Sequence, residues 1–151
     1  MSIRLTHRTA GARQDELDDA LQLLHFGFRA VIANPDRVLA SHGLSRVHHR
    51  ILFFVRRNPS GSVTQLLEIL DVSKQALNAP LRTLVRKKYI AVVPSKSDRR
   101  VKELTLTSKG EALERTLSND QRQRFATAFR KSGEAKETAW REIMRYLADP
   151  A

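Results

Sequence analysis

Two short helical segments joined by a tight turn constrain this sequence more than any other feature. The first is predicted over residues 63–70 and opens on Ser62, which fits a capping box with Gln65. The second is predicted over residues 74–88, after a short turn that leads into Ser73 as its cap. Two short helices in this arrangement are typical of a helix-turn-helix.

The second of these helices has two chemically different faces. Its apolar side chains recur at about 100° per residue, which predicts a buried face. The opposite face is polar and carries Gln75, Asn78 and Arg82. Arginine can form two bonds to guanine in the major groove of DNA, and glutamine or asparagine can do the same with adenine. The alternative is an ordinary amphipathic helix whose polar face meets water.

A basic β-hairpin is predicted directly after this helix. Residues 90–93 form a β-type run that Pro94 ends, and residues 101–106 alternate between two faces. The turn at residues 95–100 is polar and charged. A turn of this kind could be a solvated loop. Beside a recognition helix, however, it can reach the neighbouring minor groove, where narrow A·T tracts attract arginine.

Longer helices are predicted on both sides of this central region. Apolar periodicity favours a helix over residues 15–33 that stops at Asn34-Pro35, then a short element over residues 36–42. Ser45 is expected to cap the next helix. Its inward side chains are predicted to be Val47, Ile51, Leu52, Phe54 and Val55.

The C-terminal part is predicted to hold two further helices. Thr107 or Ser108 is expected to cap the first, which runs to about residue 131 with a break near residues 118–120. Gly133 separates it from the last helix.

The order of these elements predicts one mainly α (α+β) domain over residues 1–151. Residues 44–107 would form a winged helix-turn-helix with a two-stranded β-hairpin wing. The apolar stripes of residues 14–43 and 108–148 predict dimerisation helices on either side of it.

Charge is concentrated in the same central region. The formal net charge is +11, and residues 73–109 hold ten basic and only two acidic side chains. A polyanion such as nucleic acid is the favoured partner of such a stretch, although a solvated surface is the alternative.

Composition excludes several classes of protein. With no cysteine, the chain forms no disulfide, thiolate zinc site or thiol switch. No apolar run reaches the roughly 18 residues that a membrane span needs. Residues 1–13 lack the apolar core of a signal peptide and are interpreted as an arm or a lead-in to the first helix. We therefore expect a soluble, cytoplasmic protein.

Three stretches of sequence resemble the MarR (multiple-antibiotic-resistance regulator) family. They are Leu44-Ser45 before a helix, residues 72–75 (VSKQ) at the start of the recognition helix, and Asp98-Arg99-Arg100 followed by residues 104–110 (LTLTSKG). The resemblance implies a homodimer on a pseudo-palindromic operator, usually a repressor that a small ligand releases. It also implies that Arg100 enters the minor groove while Asp98 braces the wing.

The recognition helix departs from the family pattern at three positions. Pro80 lies inside it and is expected to bend it or to remove a backbone bond to Ala76. Tyr89 stands where the family commonly has glycine, and Ala79 where a polar group is frequent. A helix that begins later, with Pro80 in its first turn, is the alternative.

The candidate DNA-binding residues come from the recognition helix and the wing. They are Ser73, Lys74, Gln75, Asn78, Arg82, Arg86, Lys96, Asp98, Arg99, Arg100 and Lys102. The first alternative is a ligand- or partner-sensing module that binds DNA weakly, and the second is a non-specific DNA binder.

Other candidate sites are weaker. His42, His48 and His49 could suggest a metal site, but adjacent helical histidines point apart and no thiol accompanies them. Aromatic residues could line an effector pocket, although core or dimer packing is favoured; they are Phe26, Phe28, Phe53, Phe54, Phe125, Phe129 and Trp140. No catalytic motif is present, so neither an enzyme nor a cofactor is expected.

Overall fold

The structure, a computed structural model, describes residues 10–149. Within that range the chain forms six helices and three short strands. They are α1 (Ala10–Ser41), α2 (Arg46–Arg57), β1 (Gly61–Ser62), α3 (Val63–Leu70), α4 (Lys74–Arg86), β2 (Ile90–Pro94), β3 (Lys102–Leu106), α5 (Ser108–Ser132) and α6 (Glu134–Ala148). The expected order of a helix-turn-helix, a wing and flanking helices is confirmed.

The wing belongs to a three-stranded antiparallel sheet in the order β1-β3-β2. The predicted hairpin is present, with Ile90 opposite Leu106 and Pro94 opposite Lys102. A third strand that the sequence did not predict joins this hairpin, because Gly61 pairs with Leu104 on the free edge of β3. A two-residue strand is too short to show a period, so only the partner strand reveals it.

Helix α1 continues through Pro35, and the predicted stop at residues 34–35 was wrong. Proline has no N–H, so the Val31 carbonyl loses its usual helical partner. Gln121 of α5 donates to that carbonyl through Nε2 at 3.4 Å. Asn34 also donates to the Asp120 carboxylate at 3.1 Å. Packing and hydrogen bonds from α5 therefore hold a helix that local sequence would interrupt.

Three helices end on a residue in the left-handed conformation. These are Gly43 after α1 (φ 66°), Asp71 after α3 (φ 49°) and Lys88 after α4 (φ 63°). After α4, Tyr89 N donates to the Leu84 carbonyl at 2.9 Å and closes a Schellman motif. The left-handed residue ends α4 before Lys88, so the predicted end at residue 88 was too late.

Helix α4 is continuous across Pro80. It starts at Lys74, so the alternative in which Pro80 occupies the first turn was wrong. The Ala76 carbonyl lacks the bond that Pro80 cannot donate. The helix persists because Leu77 and Leu84 anchor it in the core on either side. The bend expected at Pro80 stays a prediction.

The core lies between the C-terminal end of α1, α2, α3, α4, the sheet and the first half of α5. Among its fully buried side chains are Leu52, Leu84 and Leu117. Most of the inward face predicted for α2 is buried or partly buried, but Val47 is 38% exposed. Burial of leucine and isoleucine side chains here supplies the main favourable term for folding.

Helix α5 is one unbroken element, and the break expected at residues 118–120 was wrong. Ser118 is buried and donates to Glu114 one turn earlier, so this polar stretch stays helical. The cap is Thr107, whose hydroxyl accepts the Gly110 N–H at 3.0 Å. The predicted separation at Gly133 is confirmed. No helix within residues 10–149 is long and apolar enough to cross a membrane.

Candidate nucleic-acid interface

Helix α4 is presented to solvent along one side. Ser73 caps it, since the Ala76 N–H donates to the Ser73 hydroxyl at 3.1 Å. Leu77 and Leu84 are buried, which turns the opposite face outward. All the polar candidates of that face are exposed: Lys74, Gln75, Asn78, Arg82 and Arg86. The structure therefore places them together on one helix surface.

Helix α3 precedes α4 and contributes to the same core. The predicted capping box is present, because Gln65 N donates to the Ser62 hydroxyl at 3.1 Å and Ser62 N donates to Gln65 Oε1 at 2.9 Å. Leu66 is buried and packs in the common core. The left-handed Asp71 then reverses the chain between the two helices.

The tip of the wing is held by a small set of hydrogen bonds. Ser95 is buried, and its N–H donates to the Val101 carbonyl at 2.8 Å. Asp98 Oδ1 accepts from the Arg100 backbone N–H at 3.1 Å and from Arg100 Nε at 3.2 Å. The basic side chains around this turn are exposed: Lys96, Arg99, Arg100 and Lys102. A compact turn thus presents four cations.

Two lysines of the basic stretch donate hydrogen bonds to backbone carbonyls of the fold. Lys87 Nζ donates to the His42 carbonyl at 2.8 Å, at the end of α1. Lys109 Nζ donates to the Lys87 carbonyl at 2.9 Å and lies 4.4 Å from the centre of the Tyr89 ring. These cations cap carbonyl groups at helix ends. Two of the ten basic side chains counted in the sequence therefore have partners within the fold.

Sequence reasoning missed a buried polar chain between α2 and α5. Arg56 Nε lies 2.8 Å from Glu114 Oε2, and the other Glu114 oxygen accepts the Ser118 hydroxyl. His49 Nε2 lies 3.2 Å from Ser118 Oγ. The four-residue spacing of Glu114 and Ser118 was visible in the sequence. Nothing there indicated that α2 faces them.

Burial lowers the pKa of His49 below its usual 6.5, and the nearby Glu114 and Asp36 carboxylates partly oppose that shift. The Ser118 hydroxyl has one proton, which Glu114 accepts, so His49 is the donor to Ser118. His49 was expected at the surface or partly packed, but it is only 7% exposed. Within residues 10–149 no group of three or more metal-ligating side chains comes together.

Phe53 and Phe54 on α2 contact each other with ring centres 5.2 Å apart, and Phe54 packs against the core. The other five aromatic candidates fall into two groups. Phe125, Phe129 and Trp140 contact one another with ring centres 5.2–5.6 Å apart and line an open cavity of about 820 Å³ between α5 and α6. Phe26 and Phe28 on α1 are about half exposed. The second group is therefore not part of this chain's own core.

Comparisons with known proteins agree with this geometry. The MarR family model matches residues 42–101. The HTH-type transcriptional regulator PetP of Rhodobacter capsulatus is 37% identical over 137 residues, which cover 91% of this chain and 82% of PetP.

Solved structures show the same fold. A MarR family transcription regulator with 23% identity superposes with a TM-score of 0.71 and covers 90% of each chain. A mutant of MarR from E. coli, complexed with operator DNA, is 21% identical with a TM-score of 0.63, and the match covers 90% of this chain and 97% of MarR. Family members are transcriptional regulators that bind DNA and are not enzymes. The chain belongs to the MarR family of transcriptional regulators.

Proposed function

We propose that this regulator binds a pseudo-palindromic operator as a homodimer and represses transcription from it. The observation that carries the proposal is that two solvent-exposed basic elements follow one another in the chain, the polar face of α4 and the tip of the wing. The major groove admits one α-helix, and an adjacent hairpin can follow the duplex into the minor groove. Residues 44–107 would then be the DNA-binding part of the domain.

The contacts divide by chemistry. Gln75, Asn78 and Arg82 have the donors and acceptors that read base edges. Ser73, Lys74 and Arg86 flank them and suit phosphate oxygens. The remaining candidates form the wing, in which Arg100 would enter the minor groove and Asp98 would order it: Lys96, Asp98, Arg99, Arg100 and Lys102.

The dimer is supported by apolar side chains that one chain leaves uncovered. On α1, Leu21 is 66% exposed and Leu24 is 53% exposed. On α6, Ile143 is 57% exposed and Leu147 is 67% exposed. Large apolar patches on a monomer mark association surfaces, and a second copy would cover these. A symmetric dimer would present two α4 helices to two half-sites about one helical turn apart.

A small effector is also part of the proposal. A space of about 200 Å³ lies between α1, α2 and α5, and Arg46, Arg50, Phe28 and Phe53 are among the residues that line it. Guanidinium groups bind carboxylates, and aromatic rings favour a flat apolar ligand. A small aromatic acid would match these groups, and its binding there would be expected to weaken the operator complex.

The test is a filter-binding titration with DNA from the promoter region beside the protein's own gene. Specific binding should exceed binding to random duplex by at least about a thousandfold and should weaken steeply with salt, because neutralised phosphates release counterions. Sedimentation at micromolar concentration should show a dimer. Equal and salt-insensitive binding to both duplexes would overturn the proposal and favour a protein-interaction module.

A further inference from the structure

The polar chain Arg56–Glu114–Ser118–His49 joins α2, in the DNA-binding part, to α5, which continues beyond it. Glu114 is 1% exposed, Ser118 2% and His49 7%. Arg56 is the outermost member, with 36% of its side chain exposed. Both carboxylate oxygens of Glu114 have a partner. The Arg56 guanidinium binds one oxygen, and the Ser118 hydroxyl donates to the other.

Stability alone does not account for a buried carboxylate at this position. Removing a charge from water costs several kcal/mol, and an apolar side chain of similar volume is often equally stable or more stable. The attested use of buried polar groups is to fix one arrangement among several that apolar packing would accept. Leucine neighbours such as Leu113 and Leu117 can slide against α2, whereas a paired carboxylate has one position.

Helix α5 is the element whose arrangement matters. Its first half, around Leu113 and Leu117, packs in the core of the DNA-binding part. Its second half carries Phe125 and Phe129, which contact Trp140 of α6. The next turn after Ser118 is tied to α1 by the bonds from Gln121 to Val31 and from Asn34 to Asp120. Helix α5 is thus a rod whose first half packs against α2 and the C-terminal end of α1, and whose second half contacts α6.

We propose that Glu114 is a positioning residue that fixes the angle between the α5 rod and the DNA-binding part, residues 44–107. In the proposed dimer, on which this inference rests, that angle sets the distance between the two α4 helices. Glu114 would therefore determine which half-site spacing the regulator accepts, without touching DNA. A change in this angle moves α4 relative to its half-site. The two α4 helices of the dimer then prefer the natural half-site spacing less strongly over other spacings.

The experiment measures affinity for three operators and one isolated half-site. The operators carry the natural spacing, one base pair less and one base pair more. The wild type should prefer the natural spacing by about tenfold or more, which corresponds to about 1.4 kcal/mol. Glu114→Leu should lose most of that preference while it binds the isolated half-site within about twofold of the wild type. Glu114→Gln removes the charge and keeps one acceptor oxygen for Arg56, while its NH2 can only donate toward Ser118. Its spacing preference should lie between those of the wild type and Glu114→Leu.

Glu111→Gln is the matched control, because Glu111 lies one turn earlier on α5 and is exposed. It should keep the wild-type spacing profile. Sedimentation and circular dichroism check that each variant is a folded dimer; if Glu114→Leu does not fold, Arg56→Gln and Glu114→Gln carry the same comparison. A folded Glu114 variant with an unchanged spacing profile overturns the inference, as does an equal loss on the isolated half-site. A wild type without any operator preference would instead overturn the proposed function.

Discussion

The carboxylate of Asp98 binds Arg100 twice, through the backbone N–H at 3.1 Å and through Nε at 3.2 Å. The Arg100 side chain is 92% exposed, so the bonds orient a cation that otherwise faces only water. An exposed pair of this kind contributes only about 0–1 kcal/mol to stability. Its effect is to reduce the number of conformations that the wing tip adopts before DNA arrives.

Arg100→Ala should weaken binding to operator and to random duplex alike. Each lost phosphate contact should flatten the slope of log affinity against log salt by about one unit. Any preference for A·T pairs beside the half-sites should fade with it. Asp98→Ala should have a smaller effect, since it frees the arginine without removing it. Titration at several salt concentrations checks both, with exposed Arg145 on α6, replaced by alanine, as control. An unchanged affinity and slope for Arg100→Ala would mean that the wing does not contact DNA.

Arg82→Ala should relax sequence choice at one operator position. A good bidentate contact discriminates by about 1–3 kcal/mol, so that position should accept other bases after the change. Gln75→Ala and Asn78→Ala should do the same elsewhere. Binding to a library of operator variants measures this. If Arg82→Ala weakens operator and random DNA equally, the side chain contacts the backbone instead.

Gly110→Ala should destabilise the fold severely. A Cβ at this position would come within 2.0 Å of the Tyr89 carbonyl oxygen, which is backbone and cannot move aside easily. We expect a loss of about 3 kcal/mol or more in the free energy of unfolding, at the upper end for overpacking. Urea unfolding measures it. Gly11→Ala is the control, because nothing lies within 4 Å of a Cβ there. A Gly110→Ala protein as stable as the wild type would show that the Tyr89 backbone and Gly110 are far enough apart to accommodate a Cβ.

Acid should destabilise the protein partly through His49. Burial lowers its folded-state pKa below 6.5, so the unfolded chain takes up the proton first as the pH falls. The free energy of unfolding should therefore decrease from about pH 6.5 downward until the pH reaches the lower folded-state value. Urea midpoints at about pH 7.5 and 5.5 measure the drop.

His49→Gln should show a smaller drop over that range. His48, whose pKa is also lowered by burial, would account for part of the drop that His49→Gln still shows. An identical drop in the wild type and in His49→Gln would contradict the assignment.

The sequence was most informative where the signals are local. A capping serine accepts a hydrogen bond from a backbone N–H in the first turn of its own helix. The caps at Ser62 and Ser73 could therefore be predicted from nearby residues. The polar face of α4 followed from the 3.6-residue period. These features position the candidates on α4, and their grouping on one face of that helix was therefore predictable from the residues alone.

The sequence was misleading where a distant element supplies the missing bond. Pro35 is a local stop signal, but Gln121 donates to the carbonyl that it leaves free, and α1 continues. The polar residues at 118–120 predicted a break in α5. The helix continues because the Ser118 hydroxyl is hydrogen-bonded to both Glu114 and His49. In each case a side chain more than 60 positions away contributes an interaction that no local window contains.

The sequence by itself thus determined the helix caps, the order of elements and the chemistry of the α4 face, because these depend on neighbours within about one helical turn. Only the tertiary structure decided that Lys87 and Lys109 bind backbone carbonyls and that β1 joins the wing sheet. It also decided that Arg56 meets Glu114 across two helices. Those pairings depend on which surfaces pack together, and hydrophobic burial of the whole core sets that packing.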